Sequence, residues 1–147
     1  DMAQSLSDAH ILVSMTYASR ANPDVTAKDF NEILQQANEN NAANGITGML
    51  IFNKNYFLQT IEGPRAQINR LLYSLIADTR HHDLQVIETR EIRHRHWAKW
   101  SMNYASPTPA NAAVYLKYST TLDFNPYLLN AEAANNLMHE LSTQKSS

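Results

Sequence analysis

Four polar side chains fall where the surrounding pattern is apolar, and their chemistry suits a flat ring with polar edges. Period-two alternation puts Tyr17 on the strand face that carries Ile11, Val13 and Met15. It also puts Gln59 beside Phe57 and Ile61. Asn41 follows Phe30 by eleven residues, about three turns at roughly 3.6 residues per turn. It therefore shares the helical stripe of Phe30, Ile33, Leu34 and Ala37, with Asn40 one step around the edge. Buried amides are costly unless hydrogen-bonded. A heteroaromatic ring with carbonyls and ring nitrogens would satisfy them. Each residue taken singly has a plainer reading: Tyr17 as core with its hydroxyl at the rim, Asn40 and Asn41 as helix-end caps, Gln59 bonded to an edge backbone. Their convergence on one layer tilts the balance towards a ligand site.

The elements that must position these residues read in order along the chain. Residues 10–17 form a strand, and residues 26–43 a helix capped by Thr26 or Asp24. Asn44-Gly45 stops the helix, because both residues tolerate the left-handed conformation. Residues 46–52 and 56–62 make a hairpin around Asn53-Lys54-Asn55. Gly63-Pro64 opens a second helix, with Pro64 in its first position and Ile68, Leu71, Leu72, Leu75 and Ile76 as its apolar face. Residues 84–92 and 97–104 read as two more strands around a basic turn, and helices follow near 110–118 and 130–142.

The sum is an α+β chain, β-α-β-β-α-β-β, with a ferredoxin-like split βαβ core. A five-stranded mixed sheet and two C-terminal helices are expected. Right-handed crossovers put both main helices on one sheet face and leave the C-terminal pair to cover the other. The first and third strands become central neighbours, so Tyr17 and Gln59 can meet. The expected division is a leader at 1–9, a core domain at 10–105 and a helical extension at 106–147, with Pro107 and Pro109 at the boundary.

Composition narrows the chemistry. The 147 residues include no cysteine, which removes disulfides, thiolate nucleophiles, cysteine zinc sites and any cysteinyl adduct. A net charge of −2 points to neither nucleic acid nor a membrane surface. No apolar run is long enough to span a bilayer, so a cytoplasmic location is the expectation. Arg80 with Asn41 could cradle a phosphate, but no glycine-rich loop leads into a helix. His94 with His96, or His81 with His82, lacks an evident third metal ligand. The cluster of Arg90, Arg93, Arg95 and Lys99 is diluted by Glu88 and Glu91 and reads better as a solvated face.

Five stretches carry a family resemblance: Tyr17-Ala18-Ser19, residues 40–48, residues 57–63, Asp78-Thr79-Arg80-His81-His82 and Trp100-Ser101-Met102. In this order and at these intervals they resemble the BLUF family, blue-light sensors using flavin. The tail, with Leu116-Lys117-Tyr118-Ser119, looks like the short stand-alone, PixD-like type. The resemblance implies a non-enzymatic receptor that binds FAD, or else FMN or riboflavin. It implies a homo-oligomer with a downstream protein partner, and no direct contact with nucleic acid or membrane. It places the redox-active tyrosine on Tyr17 and the switching glutamine on Gln59. Asn41, with Asn40 beside it, would bond the ring, and Arg80 and His81 would line the ribityl and phosphate end. Trp100 and Met102 would report the switch from the last strand. The implied photochemistry is light-driven electron and proton transfer from Tyr17 to the flavin, rearrangement of the Gln59 hydrogen bonds and a red-shifted absorption.

Overall fold

The computed structural model describes residues 10–98, 103–105 and 111–144. Four long strands build an antiparallel sheet: β1 (Leu12–Ala21), β2 (Thr47–Phe52), β3 (Tyr56–Pro64) and β4 (His81–Ile92). Their spatial order is β4-β1-β3-β2, which makes β1 and β3 the central pair. The short segment β5 (Asn103–Ala105) runs parallel to β2 on its outer edge.

Helices α1 (Ala27–Ala43) and α2 (Arg65–Ala77) lie on one face of the sheet. Thr26 and Asp29 form a reciprocal capping box at the start of α1. Asn44 caps its end, and Gly45 turns the chain at φ 68°. At Gly63 a side chain would meet the Gly45 carbonyl at 3.1 Å, so the glycine is what lets β3 pass so close to that turn. Between sheet and helices lies a core of Val13, Met15, Leu34, Ile46, Leu50, Phe57, Ile61 and Ile68.

The opposite face is covered by the C-terminal segments. These are α3 (Ala112–Tyr118), a 3₁₀ turn at Pro126–Leu128 and α4 (Ala131–Gln144). Met49, Ile51 and Leu58 of the sheet pack there against Trp97, Val114, Tyr115, Phe124, Leu137, Met138 and Leu141. Ser14, Thr16, Thr60 and Glu62 are buried as well, with Thr16 donating to Thr60 at 3.0 Å. The sheet thus has two separate interiors, and the C-terminal pair covers its second face as the pattern required. Among the described residues, no helix is long and apolar enough to cross a membrane.

Several expectations need correction. β1 runs on to Ala21, so Tyr17 sits in mid-strand and not near its end. Pro64 closes β3 and caps α2 without being its first helical residue. Ile76 is 62% exposed, because the apolar stripe of α2 is used up by Ile68, Leu71, Leu72 and Leu75. Among the described residues no hairpin follows β4: Trp97 is buried in a turn, and β5 lies on the far side of the sheet. A stretch of like-looking apolar residues cannot say which edge it will join. The leader at 1–9, and Pro107 and Pro109, fall outside the described residues.

On the second face His139 of α4 stacks on Trp97, with ring centroids 4.6 Å apart and planes 14° from parallel. Partial burial and the adjacent His96 hold its pKa below the ordinary histidine value, partly offset by Glu62. A depressed histidine pKa means the unfolded chain takes up the proton first. The contribution of this contact is therefore complete above about pH 6.5 and declines as the pH falls below it. Urea midpoints should drop between about pH 7.5 and about pH 5.5, and His139→Phe, which keeps a ring on Trp97, should flatten that segment of the profile.

Candidate functional site

Over the middle of the sheet α1 and α2 enclose a cavity of about 180 Å³, a size of the order that admits an aromatic ring. Its floor is Tyr17, Leu50, Phe57 and Gln59. Ile33, Ala37, Asn40 and Asn41 line the α1 side, and Leu71 and Leu75 the α2 side. Asp78, Arg80 and His81 close one end, while the exposed Gln36, Asn40 and Ser74 mark the mouth.

Tyr17 and Gln59 are paired across the antiparallel β1–β3 ladder, and both are buried. The Tyr17 hydroxyl donates to Gln59 Oε1. An amide whose oxygen is engaged in this way has only N–H donors at its other end. Burial, reinforced by the Asp78 carboxylate, pushes the Tyr17 pKa far above the ordinary phenol value. The phenol therefore keeps its proton throughout the physiological range. On either side of Tyr17 the β1–β4 register shifts, at Thr16/Tyr17 and at Ala18/Arg20, and Asp83 adopts a positive φ of 56°. Such bulges re-aim side chains next to sites.

Asn41 is 2% exposed. Its carbonyl accepts from Asn44 at 3.1 Å and from Ile46 at 2.9 Å, which locks the end of α1 to the start of β2. His81 bridges Ser19 Oγ, at 2.7 Å from Nδ1, and the Leu75 carbonyl, at 2.5 Å from Nε2. A carbonyl can only accept, so Nε2 donates; in the neutral ring Nδ1 then accepts from Ser19. Its ring meets those of Tyr17 and Phe57 edge-on, at 6.4 and 6.0 Å. Arg80 grips Asp78 through Nε at 3.0 Å and Nη2 at 2.6 Å, and the guanidinium holds that carboxyl below its usual range. The carboxylates of Asp78, Glu32 and Asp29 together raise the pKa of the guanidinium.

The structure brings Tyr17, Asn40, Asn41, Gln59, Arg80 and His81 together around one cavity. Trp100 and Met102 lie outside the described residues. Asp78 and Ser19 were not singled out by the sequence, although both stand in the stretches that carry the resemblance. Their roles depend on pairing with Arg80 and His81, which alternation alone does not reveal. The basic turn divides: Arg90 pairs with Glu88, and Arg95 is bound to backbone carbonyls. His94 and His96 are exposed, and no group of three or more potential ligands with metal geometry occurs among the described residues.

Residues 12–103 match the family described as BLUF, sensors of blue-light using FAD. The chain belongs to the BLUF family. Flavin is thus its cofactor and blue-light sensing its function. The chain is 31% identical over 96 residues to photoactivated adenylate cyclase subunit beta of Euglena longa, covering 65% of this chain and 11% of that protein. It is 31% identical over 74 residues to the blue light- and temperature-regulated antirepressor BluF of Escherichia coli (strain K12), covering 50% and 18%. It therefore spans less than a fifth of these curated relatives. Among solved structures, BlsA in its photo-activated state superposes with a TM-score of 0.81 at 30% identity, over 88% of this chain and 94% of that one. Klebsiella pneumoniae BlrP1 with FMN and cyclic diGMP gives 0.62 at 27% identity, over 65% and 26%.

The cavity fits the ring of such a cofactor. Ile33, Ala37, Leu50, Phe57, Leu71 and Leu75 present apolar surface to its faces, and the amides of Asn40, Asn41 and Gln59 are suited to its polar edge. Arg80, beside Asp78 and His81 at one end of the cavity, has the charge a phosphate requires. A bulky residue in the wall should exclude the ring: Ala37→Phe is expected to yield colourless protein, with flavin affinity reduced by about 100-fold or more, while the far-ultraviolet circular dichroism stays unchanged.

Proposed function

We propose that this BLUF chain senses blue light through proton-coupled electron transfer from Tyr17 and a consequent turn of the Gln59 amide. The observation that carries the reading is the Tyr17–Gln59 hydrogen bond on the cavity floor. When bound, the flavin supplies a blue-absorbing ring whose excited state is a strong oxidant. Tyr17, held protonated, can release an electron only together with its hydroxyl proton, and Gln59 Oε1 is the acceptor poised to take that proton. Both return to Tyr17, and the amide is left reversed. Its two ends differ in chemistry but hardly in shape, so the reversal changes hydrogen bonds without displacing neighbours. A donor brought to the ring's carbonyl edge accounts for a red shift.

Asn40 and Asn41 would hold the ring, and Arg80 and His81 the ribityl and phosphate end. Residues 10–105 then act as the sensor, with β5 as a fifth strand of a mixed sheet, and residues 106–147 as the output. Trp100 and Met102, leading into β5, would relay the change. The chain would signal by contacts with a second copy or a partner protein in the cytoplasm, without catalysis of its own.

Blue-minus-dark difference absorption tests the photochemical core. Tyr17→Phe removes only the hydroxyl; bound flavin should persist while the reversible red shift disappears. A shift of normal size in Tyr17→Phe would remove Tyr17 from the mechanism.

A further inference from the structure

The end of α2 sets a fixed pair of opposite charges beside Tyr17. The Asp78 N–H donates to the Leu75 carbonyl at 3.3 Å, and His81 Nε2 donates to the same carbonyl at 2.5 Å. The His81 ring in turn meets the Tyr17 ring edge-on. One shared carbonyl and one imidazole therefore connect Asp78 to the phenol, and all three side chains line the cavity. The Asp78 carboxylate is clamped in place. Its Oδ1 accepts the Arg80 backbone N–H at 3.0 Å and Nε at 3.0 Å, and its Oδ2 accepts Nη2 at 2.6 Å. Bonds between ionised partners are short and directional, so the pair keeps one orientation.

A negative charge near a phenol acts in opposite senses on its acidity and its oxidation. Loss of the proton alone leaves a phenolate, which a carboxylate repels. Loss of an electron leaves an electron-poor ring, which the same carboxylate stabilises. Both effects are larger in a desolvated cavity than in water. The titratable side chains lining this cavity are Tyr17, Asp78, Arg80 and His81. Both nitrogens of His81 are committed, to Ser19 and to Leu75. Burial comes first in holding the Tyr17 proton and the Asp78 charge second, with nothing comparable from Arg80. The carboxylate is thus the end of the ion pair that Tyr17 feels.

We propose that Asp78 is a positioning residue for the photochemistry, a clamped negative charge that favours departure of the electron from Tyr17, with Arg80 setting how much of that charge the phenol feels. The proposal rests on the light-sensing reading above. In that step one electron passes from the Tyr17 ring to the light-excited flavin and the hydroxyl proton passes to Gln59 Oε1. Both return afterwards, so nothing is consumed. The carboxylate opposes release of the proton alone and favours release of the electron. It keeps the phenol whole in the dark and readies it for oxidation in the light. Without the Asp78 charge, Tyr17 becomes the stronger acid and the poorer electron donor. Without the Arg80 charge, more of the carboxylate is felt and both effects reverse.

Two readouts on the flavin-loaded full chain test this. The first is the excited-state lifetime of the bound flavin, which electron transfer from Tyr17 shortens. Asp78→Asn should lengthen it by about twofold or more, Arg80→Gln should shorten it, and Asp78→Glu should stay near wild type. The second is taken in the dark: a fluorinated tyrosine, more acidic than tyrosine, replaces Tyr17 and is titrated by fluorine NMR. Asp78→Asn should lower its midpoint and Arg80→Gln should raise it. An effect exerted through the flavin has the reverse lifetime signs, because removing a negative charge makes the ring easier to reduce. A merely structural loss lengthens the lifetime in both variants. Either pattern would overturn the proposal, as would midpoints that do not move. A wild-type lifetime equal to that of Tyr17→Phe would instead remove Tyr17 as the electron donor, and the light-sensing reading with it. Arg80→Gln gives its answer whether or not Asp78→Asn folds.

Discussion

Everything at the cavity depends on one register, the antiparallel pairing that sets Tyr17 opposite Gln59. A slip of one residue would turn both side chains to the other face, placing Ala18 or Leu58 at the cavity floor. The register is fixed because each strand face is committed. Val13, Met15, Phe57 and Ile61 must meet the helices, and Leu58 must meet the C-terminal segments. The hydrogen bond between a phenol and an amide is thus a by-product of hydrophobic sorting on two sides of one sheet. Neither partner needs a special loop to hold it.

The burial of Tyr17 has a second effect. A desolvated phenol beside the Asp78 carboxylate resists ionisation, which is the condition the proposed joint release of proton and electron requires. Arg80 partly neutralises that carboxylate and lines the same end of the cavity.

Much of this was readable from the sequence. Alternation placed Tyr17 and Gln59 on the helix side, and the 3.6-residue period placed Asn41 inward and Asn40 at the rim. Asn44-Gly45 gave the end of α1, and the need to cover a second apolar face called for the C-terminal helices. What failed to show was long-range. The roles of Glu62 and Arg95 leave no mark in the sequence, where Arg95 reads as part of a solvated patch, because a buried carboxylate bonded to backbone N–H groups has no periodic signature. The partner of β5 was missed for a related reason: three residues pairing in parallel across the sheet depend on tertiary contacts, and local pattern shows nothing of them. His81 is intermediate. Its position was flagged through resemblance, but its bridge between Ser19 and Leu75 is visible only once β1, β4 and the end of α2 are assembled.

β4 is an edge strand of the sheet, and among the described residues no strand pairs with its far side. Twelve residues of open ladder would ordinarily invite another chain to add itself. Here the two register shifts in the β1–β4 pairing and the left-handed Asp83 make the strand irregular, and Asp83, Glu88, Arg90 and Glu91 set charge along it. The irregularities that orient Tyr17 thus also spoil the strand as a template, guarding the molecule against fibrous self-association.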